Sequence, residues 1–170
     1  MFLYQIILRD NVLQTRDLAI LSRLESDARL SYAELGEAVG LSKSSCWKRV
    51  QALERAGVVR GYRALIDPAA LGLSTVAFVA VTVAFDRHAD FEQAVIGHRA
   101  IVACHATIGD ADYLLRAITP SMGELDHFLR QELWRLPGVR RFSTTMAMRT
   151  IKSDGSLTAA SPSGGAVQRT

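Results

Sequence analysis

The sequence has little of what several protein classes require. Its 170 residues include two cysteines, Cys46 and Cys104, which are too few for a disulfide framework and fit a reducing compartment. No apolar run reaches the roughly 18 residues that a membrane-spanning helix needs. The first eight residues are apolar, but no basic segment precedes them and no small-residue cleavage site follows. We therefore expect neither a membrane span nor a signal peptide.

Signatures of catalysis and metal binding are also missing. The sequence has no glycine-rich phosphate loop, no nucleophile paired with a base and no cluster of metal ligands. His105 stands beside Cys104, but no further ligand follows at a metal-binding spacing, so we predict an ordinary strand histidine. We expect no catalytic residue, no metal and no cofactor.

What is present is typical of a folded chain, with 49% hydrophobic and 22% charged residues. The pattern changes at Asp67-Pro68, a helix N-cap followed by a proline, which opens a short turn. Helical periodicity precedes this point, and strand-rich runs alternating with helical ones follow it. The predicted organisation is an N-terminal arm (1–14), a helical domain (15–66), a linker (67–74), a mixed domain (75–152) and a disordered Ser- and Gly-rich tail (153–170).

Positive charge is concentrated in one short segment. Residues 42–63 contain a single acid, Glu54, while the formal charge of the whole chain is only +3. A basic segment in a nearly neutral protein indicates contact with a polyanion, although a solvated helix face accounts for the charge equally well. The basic residues of the segment are Lys43, Lys48, Arg49, Arg55, Arg60 and Arg63.

Three helices are predicted in this half, the first at about 16–26. Ser31 and Glu34 form a capping box that begins the second helix, and Gly40 ends it. Ser42 caps a third helix that runs to about residue 56. The short turn between the second and third helices is the spacing of a helix-turn-helix.

The third helix has an apolar and a polar face. Cys46, Val50 and Leu53 recur at i, i+4 and i+7 and form the inward stripe, so Cys46 is predicted to be a core residue. The start of such a helix enters the major groove. The predicted base contacts are Ser44, Ser45 and Trp47, and the predicted phosphate contacts are Lys43, Lys48 and Arg49 with the helix N-terminus at Ser42. Trp47 has an alternative place, packed against the neighbouring helix.

Residues 58–66 follow Gly57 and alternate like a short β-hairpin. A basic hairpin after a recognition helix is a wing. Arg60 and Arg63 would then reach the DNA backbone.

The second half is predicted to follow the order β-α-β-β-α-β of the ferredoxin-like fold, with a capping box at Ser121 and Glu124 starting its second helix. The first strand is apolar on both faces, and two helices cover only one face. The other face indicates a partner sheet and hence a homodimer. The predicted elements are strands at 74–85, 101–108, 112–119 and 139–152 and helices at 89–97 and 121–136.

The run LAILSRLESDARLSYAELGEAVGLSKSSCWKRVQALERAGVVRGYRALIDPAALGL resembles the N-terminal half of the Lrp/AsnC (leucine-responsive / asparagine-responsive) family of bacterial and archaeal transcription regulators. The order D-x-R-x-S, E-L, V-G-L-S, R-V, L-E and G-V-V-x-G-Y carries the resemblance, which continues to about Lys152 and leaves out residues 1–14. It implies an α+β protein, with a winged helix-turn-helix followed by a ferredoxin-like, amino-acid-sensing domain.

The run TIGDADYLLRA resembles the family's Gly-x-x-Asp-Tyr hairpin. In the family a small effector, usually an amino acid, sits between dimers against this loop. The resemblance implies a pocket lined by Gly109, Asp110, Asp112 and Tyr113, to which Thr144 and Thr145 could add hydroxyls. The residues alone fit an ordinary hairpin turn at Gly109-Asp110 equally well.

The leading hypothesis is a sequence-specific DNA-binding transcription regulator modulated by a small effector. Its expected partners are double-stranded DNA, the effector and further copies of itself. The expected assembly is a homodimer that the resemblance extends to an octamer, with a tetramer and a hexadecamer as the alternatives. The expected place is the cytoplasm, on the nucleoid. The first alternative is a DNA-organising protein of low specificity without an effector, and the second is an enzyme on the ferredoxin-like dimer.

Overall fold

The structure is a computed structural model that describes residues 13–161. These residues form two compact units, 13–64 together with 152–161, and 65–151. We call them the DNA-binding unit and the sensor unit after the roles that the sequence predicts for them. Nearly all of the predicted arm and the end of the predicted tail, 162–170, lie outside the described residues. Within 13–161, no helix is both long and apolar enough to cross a bilayer.

The DNA-binding unit is built on three helices, and the sequence placed each of them to within one residue or so. The helices are α1 (Thr15–Ser26), α2 (Tyr32–Ala38) and α3 (Lys43–Arg55). The capping box is confirmed, because the Ser31 amide donates to the Glu34 carboxylate at 2.8 Å and the Glu34 amide donates to the Ser31 hydroxyl at 3.3 Å.

The turn between α2 and α3 depends on two glycines. Gly40 has φ +67°, a left-handed conformation that lets the chain leave α2. A Cβ on Gly36 would lie 2.7 Å from the carbonyl oxygen of Leu41, so only glycine lets the turn fold back against α2. This close approach keeps the two helices in their tight arrangement.

A small apolar core fixes α3 against the other two helices. Cys46 is fully buried in it, and burial raises the pKa of its thiol above the ordinary value. The prediction that Cys46 is a core residue is therefore confirmed. The core consists of Ile20, Leu35, Cys46, Val50 and Leu53, surrounded by partly buried leucines and valines of the same unit.

The predicted β-hairpin at 58–66 is wrong, because the described residues there form no strand. The amides of Val58 and Val59 both donate to the carbonyl of Leu53, at 3.0 and 3.2 Å, and close the end of α3. The Tyr62 hydroxyl then donates to the Glu54 carboxylate at 2.8 Å. A lone two-stranded hairpin has little to stabilise it, and these contacts tie the segment to α3 instead.

The sensor unit has the predicted ferredoxin-like order. In its antiparallel sheet, β1 (Thr75–Val83) pairs with both β3 (Tyr113–Thr119) and β4 (Val139–Met146), and β2 (Ile101–Ala106) pairs with β3. The order across the sheet is therefore β2-β3-β1-β4. The last strand ends several residues before the predicted position. The helices are α4 (His88–Ile96) and α5 (Met122–His127), which continues through a π turn and a 3-10 turn to Arg135.

The two faces of this sheet differ. One face packs under the helices, where Val79 and Leu115 are fully buried together with Phe91 of α4 and Phe128 at the end of α5. The other face has no cover within the described chain. Phe78, at its centre on β1, is 40% exposed and lies between Arg116 of β3 and Thr145 of β4. The helices leave one face of the sheet open as predicted, but this face is not apolar throughout, because the neighbouring strands carry polar side chains on it.

The predicted disorder of the tail is wrong for 153–161. A short helix, α6 (Leu157–Ala160), begins at Ser156, whose hydroxyl accepts the amide of Ala159 at 3.0 Å. Glu25 of α1 accepts hydrogen bonds from the start of this helix. Composition alone missed the helix, because a partner more than a hundred positions away in sequence holds it.

Candidate DNA-binding and effector sites

The N-terminus of α3 presents a cluster of hydroxyls. The Ser42 hydroxyl caps the helix by accepting the Ser45 amide at 3.2 Å, and it lies 3.2 and 3.0 Å from the hydroxyls of Ser44 and Ser45. All three serines are exposed. The amides of the first turn carry partial positive charge, so this helix end favours an anion such as a phosphate.

Two lysines and a tryptophan surround this helix end. Lys43 and Lys48 are exposed, and neither forms an ion pair with any residue of 13–161. Trp47 is 44% exposed and, with Tyr32 of α2, lines a shallow concavity beside Ser44. The indole is therefore accessible from solvent and is not packed away inside the unit.

Arg49 points elsewhere. Its guanidinium donates to the Asp17 carboxylate at 2.8 Å and to the Gln14 side-chain oxygen at 3.0 Å, both at the start of α1. The structure thus uses Arg49 to hold α3 against α1, where the sequence placed it among the phosphate contacts. Arg60 and Arg63 are exposed on the segment that follows α3.

The turn between β2 and β3 is the candidate effector loop, residues 107–112. Ile108 is fully exposed at its tip, and Gly109 has φ +142°, which favours glycine. The loop is braced by the Thr107 hydroxyl, which donates to the carbonyl of Ala111 at 2.6 Å. The Asp110 carboxylate is exposed and has no hydrogen-bond partner among the described residues.

The carboxylate and the backbone groups of Asp112 are already hydrogen-bonded to β1 and to the loop. Its carboxylate accepts the amide of Val83 at 2.8 Å, and its own amide donates to the carbonyl of Val81 at 3.0 Å. Its carbonyl accepts the amide of Thr107 at 2.8 Å. One residue therefore joins the end of β1 to both ends of the loop.

Tyr113 is likewise buried in the sensor unit, and its hydroxyl is hydrogen-bonded there. The side chain is 3% exposed under α4, and its hydroxyl donates to the Glu92 carboxylate at 2.7 Å. Since that proton is used, the contact of 2.9 Å with Nδ1 of His88 is a donation from the imidazole to the hydroxyl. Burial, followed by the hydrogen bond to Glu92, raises the pKa of Tyr113 above its ordinary value.

The two threonines on β4 do not share a site. Thr144 lies opposite Val79 on the helix-covered face, and its buried hydroxyl has no hydrogen-bond partner among the described residues. Thr145 lies opposite Phe78 on the open face. Alternation along the strand separates them, so one pocket formed by this chain receives at most one of the two.

Potential metal ligands and the second cysteine are further reactive side chains of 13–161. No group of three or more His, Cys, Asp and Glu in the described part of the chain could hold a metal ion. Cys104 is partly buried on β2, and burial, then the charge of Glu92, raises the pKa of its thiol. A thiol held in its neutral form is a poor nucleophile.

Comparison with known proteins gives the same two halves. Residues 13–60 match the family model described as winged helix-turn-helix DNA-binding, and residues 76–157 match the Lrp/AsnC ligand binding domain. The leucine-responsive regulatory proteins of Escherichia coli K12 and Klebsiella pneumoniae are each 40% identical over 144 residues, which is 83% of this chain and 88% of each relative.

Solved structures match along most of the chain. A transcriptional regulator from Neisseria meningitidis, solved in complex with L-methionine, is 36% identical with a TM-score of 0.82, over 86% of this chain and 96% of that one. An AsnC family transcriptional regulator from Agrobacterium tumefaciens is 31% identical with a TM-score of 0.81, over 87% and 98% of the two chains.

Proposed function

The chain belongs to the Lrp/AsnC family of transcription regulators, and from this membership we propose how it reads DNA and which ligand it senses. It is a DNA-binding transcription regulator with a helix-turn-helix domain and a domain that binds a small effector. The finer assignments below rest on the geometry of its two candidate sites.

DNA is read by the exposed start of α3. The observation that carries this assignment is the contrast between the two faces of α3. Cys46 and Val50 are buried, whereas Lys43, Trp47 and Lys48 are exposed and their side chains form no hydrogen bond or ion pair with any residue of 13–161. We assign Ser44, Ser45 and Trp47 to base edges and Lys43 and Lys48, with the amides after Ser42, to phosphates. Arg60 and Arg63 add phosphate contacts beside the helix.

The effector is an amino acid at the loop 107–112. Leucine-responsive relatives and a structural neighbour bound to L-methionine support this class of ligand. Asp110 is the carboxylate of the loop that is free to pair with an α-ammonium group, and Gly109 permits a close approach to the backbone. Asp112 and Tyr113 shape the loop from beneath. The amino acid is the only small molecule that the function needs.

Assembly completes the site. The open face of the sheet supports a homodimer, because Phe78 at its centre is 40% exposed and a large apolar side chain left uncovered in water marks an interaction surface. Dimers then join into larger assemblies, up to an octamer, with the effector between them. An amino acid that prefers one assembly shifts the populations and so changes which DNA half-sites are bound together. This work takes place in the cytoplasm, on the nucleoid.

Thermal unfolding of the full chain against each of the twenty amino acids, with sizing alongside, tests the sensor. A ligand that binds only the folded state stabilises it by about 2.7 kcal/mol at a hundredfold excess over Kd. We expect one or a few amino acids to stabilise the protein and change its assembly size. Asp110→Ala should abolish that response, and Asp86→Ala, at another exposed carboxylate of the sensor unit, should keep it.

A different outcome would correct specific assignments. If none of the twenty amino acids stabilises the wild-type protein, the ligand class is wrong. If Asp110→Ala still responds, the site lies elsewhere in the assembly. Weak discrimination between selected and random duplexes, together with a steep salt dependence, would indicate a DNA-organising protein of low specificity.

A further inference from the structure

The carboxylate of Glu25, near the end of α1, accepts four hydrogen bonds from the C-terminal segment. Two come from the hydroxyls of Ser156 and Thr158, at 2.7 and 2.6 Å. Two come from the backbone amides of Leu157 and Thr158, at 2.8 and 3.2 Å. Both carboxylate oxygens are used, and the partners lie more than 130 positions away in sequence.

This contact is specific to a carboxylate. All four partners donate, so the position needs a group that only accepts, and hydrogen bonds to a charged acceptor are stronger than neutral ones. Burial alone would raise the pKa of Glu25, but the hydrogen bonds from Thr158, Ser156 and the amides lower it below the ordinary value. The carboxylate is therefore charged at neutral pH.

Helix α6 is too short to hold itself in place. Helix α6 has four residues, far fewer than the roughly 12 that an isolated helix needs to persist in water. None of its residues is buried, and Leu157 is 77% exposed. The four hydrogen bonds to Glu25 are therefore a main support of this segment on α1.

The contact with Glu25 affects how the chain links the two units. The polypeptide leaves the DNA-binding unit after residue 64, forms the sensor unit and returns at residue 152. The chain therefore crosses between the units twice, at 64–65 and at 151–152, and the second crossing leads to a loose end unless residues 156–158 stay on α1. With the contact the second crossing becomes a second connection, because residues 152–155 run from the end of the sensor unit to Ser156 on α1. Helix α1 is in turn joined to α3 by the pair of Asp17 and Arg49.

We propose that residues 152–161 form a clasp that fastens the C-terminal end of the sensor unit to α1. Glu25 is then a positioning residue for the DNA reader, by which we mean the exposed start of α3. A second tether reduces the freedom of the reader with respect to the sensor unit. Two readers of one dimer then engage two half-sites with a higher effective concentration than readers on a single linker. This inference rests on the proposed function as a dimeric DNA reader.

Glu25→Gln tests the clasp in the full chain, because it keeps the shape of the side chain and replaces one acceptor oxygen by a donor group. Glu37→Gln is the matched control, since Glu37 is an exposed carboxylate of α2 with no hydrogen-bond or ion-pair partner in the described chain. It changes the charge of the same unit equally. The first measurement is amide hydrogen exchange of residues 156–161, corrected for intrinsic rates and followed between pH 7 and pH 3.

We expect exchange in 156–161 to be at least about tenfold faster in Glu25→Gln than in the wild type or in Glu37→Gln at pH 7. In the wild type the protection should be lost at low pH as Glu25 is protonated, and in Glu25→Gln it should not vary with pH. Equal exchange in wild type and Glu25→Gln would overturn the clasp, and this arm needs neither DNA nor effector.

The second measurement compares two duplexes, one that the wild type selects from random sequence and one truncated to a single half-site. Loss of the clasp should weaken binding to the paired site by about five- to tenfold and leave the single half-site unchanged. An unchanged ratio of the two affinities, with exchange accelerated, would overturn the positioning role. If the wild type selects no duplex, both the proposed function and the positioning role are wrong. The exchange experiment would still show whether Glu25 holds residues 156–161 on α1.

Discussion

The two candidate sites differ in what their polar side chains do. At the start of α3, Lys43 and Lys48 are exposed and unpaired within the described residues, so they are free to meet a partner. At the loop 107–112, Asp112 and Tyr113 are already bonded to the protein and only Asp110 is free. We infer that a motif residue hydrogen-bonded inside its own unit shapes the site, whereas one without such a partner is available to a ligand.

The largest effect expected from this distinction is at Asp112. Asp112→Ala leaves the partly buried amide of Val83 without an acceptor and should lower the free energy of unfolding by about 1–3 kcal/mol. Asp110→Ala removes an exposed carboxylate and should change stability by less than about 0.5 kcal/mol. Urea unfolding of both variants measures the difference. Equal stabilities would remove the distinction at this loop.

Tyr113 should behave as a structural residue of the same kind. Tyr113→Phe keeps the buried ring against Phe91 and deletes the hydroxyl that Glu92 and His88 share. The expected loss of stability is about 0.5–1.5 kcal/mol. Amino-acid binding by the folded variant should be retained. A Kd weakened more than tenfold without loss of stability would instead make the hydroxyl a ligand contact.

Neighbouring cations on α3 give a matched pair. Arg49→Ala breaks the partly buried ion pair with Asp17 and should lower the free energy of unfolding by about 1 kcal/mol. Lys48→Ala, at an exposed residue without a partner, should change stability by less than about 0.5 kcal/mol. Thermal unfolding compares them. If Lys48→Ala proved the more destabilising change, the assignment of Arg49 as the brace would be wrong.

The smallest effect concerns Glu25 and pH. Its hydrogen bonds hold the folded pKa below the ordinary value of 4.5, although burial works in the opposite direction. A carboxyl with a depressed folded pKa stabilises the protein above its unfolded pKa, and the contribution is lost as pH falls through the folded pKa. The melting temperature of the wild type should therefore fall below about pH 4.5 more steeply than that of Glu25→Gln. Parallel curves would contradict the charged contact.

Local patterns were enough to predict the fold. Periodicity placed α1, α2 and α3, and capping residues such as Ser31 and Ser42 fixed the helix starts. The succession of strand-like and helix-like runs gave the β-α-β-β-α-β order of the sensor unit. These signals act within a few residues of one another, so a single sequence contains them. The hairpin at 58–66 failed because alternation shows which residues could pair, without showing what else they contact.

Long-range contacts could not be predicted in this way. The bond from Arg49 to Asp17 and the clasp on Glu25 join residues 32 and more than 130 positions apart. Nothing in the local sequence distinguishes Arg49 from Lys48, and nothing in a Ser- and Gly-rich tail indicates a partner on α1. The same limit applies to Thr144 and Thr145, which are adjacent in sequence but lie on opposite faces of the sheet.

The salt dependence of DNA affinity tests the central claim, that α3 reads DNA through its free cations. Affinities of wild type, Lys48→Ala and Arg49→Ala for one selected duplex are measured between about 50 and 200 mM salt, at a temperature where all three are folded. We predict that Lys48→Ala weakens binding to this duplex and reduces the slope of log K against log salt by about 1, whereas Arg49→Ala keeps the wild-type slope. A Lys48→Ala protein with unchanged affinity and slope would contradict the account.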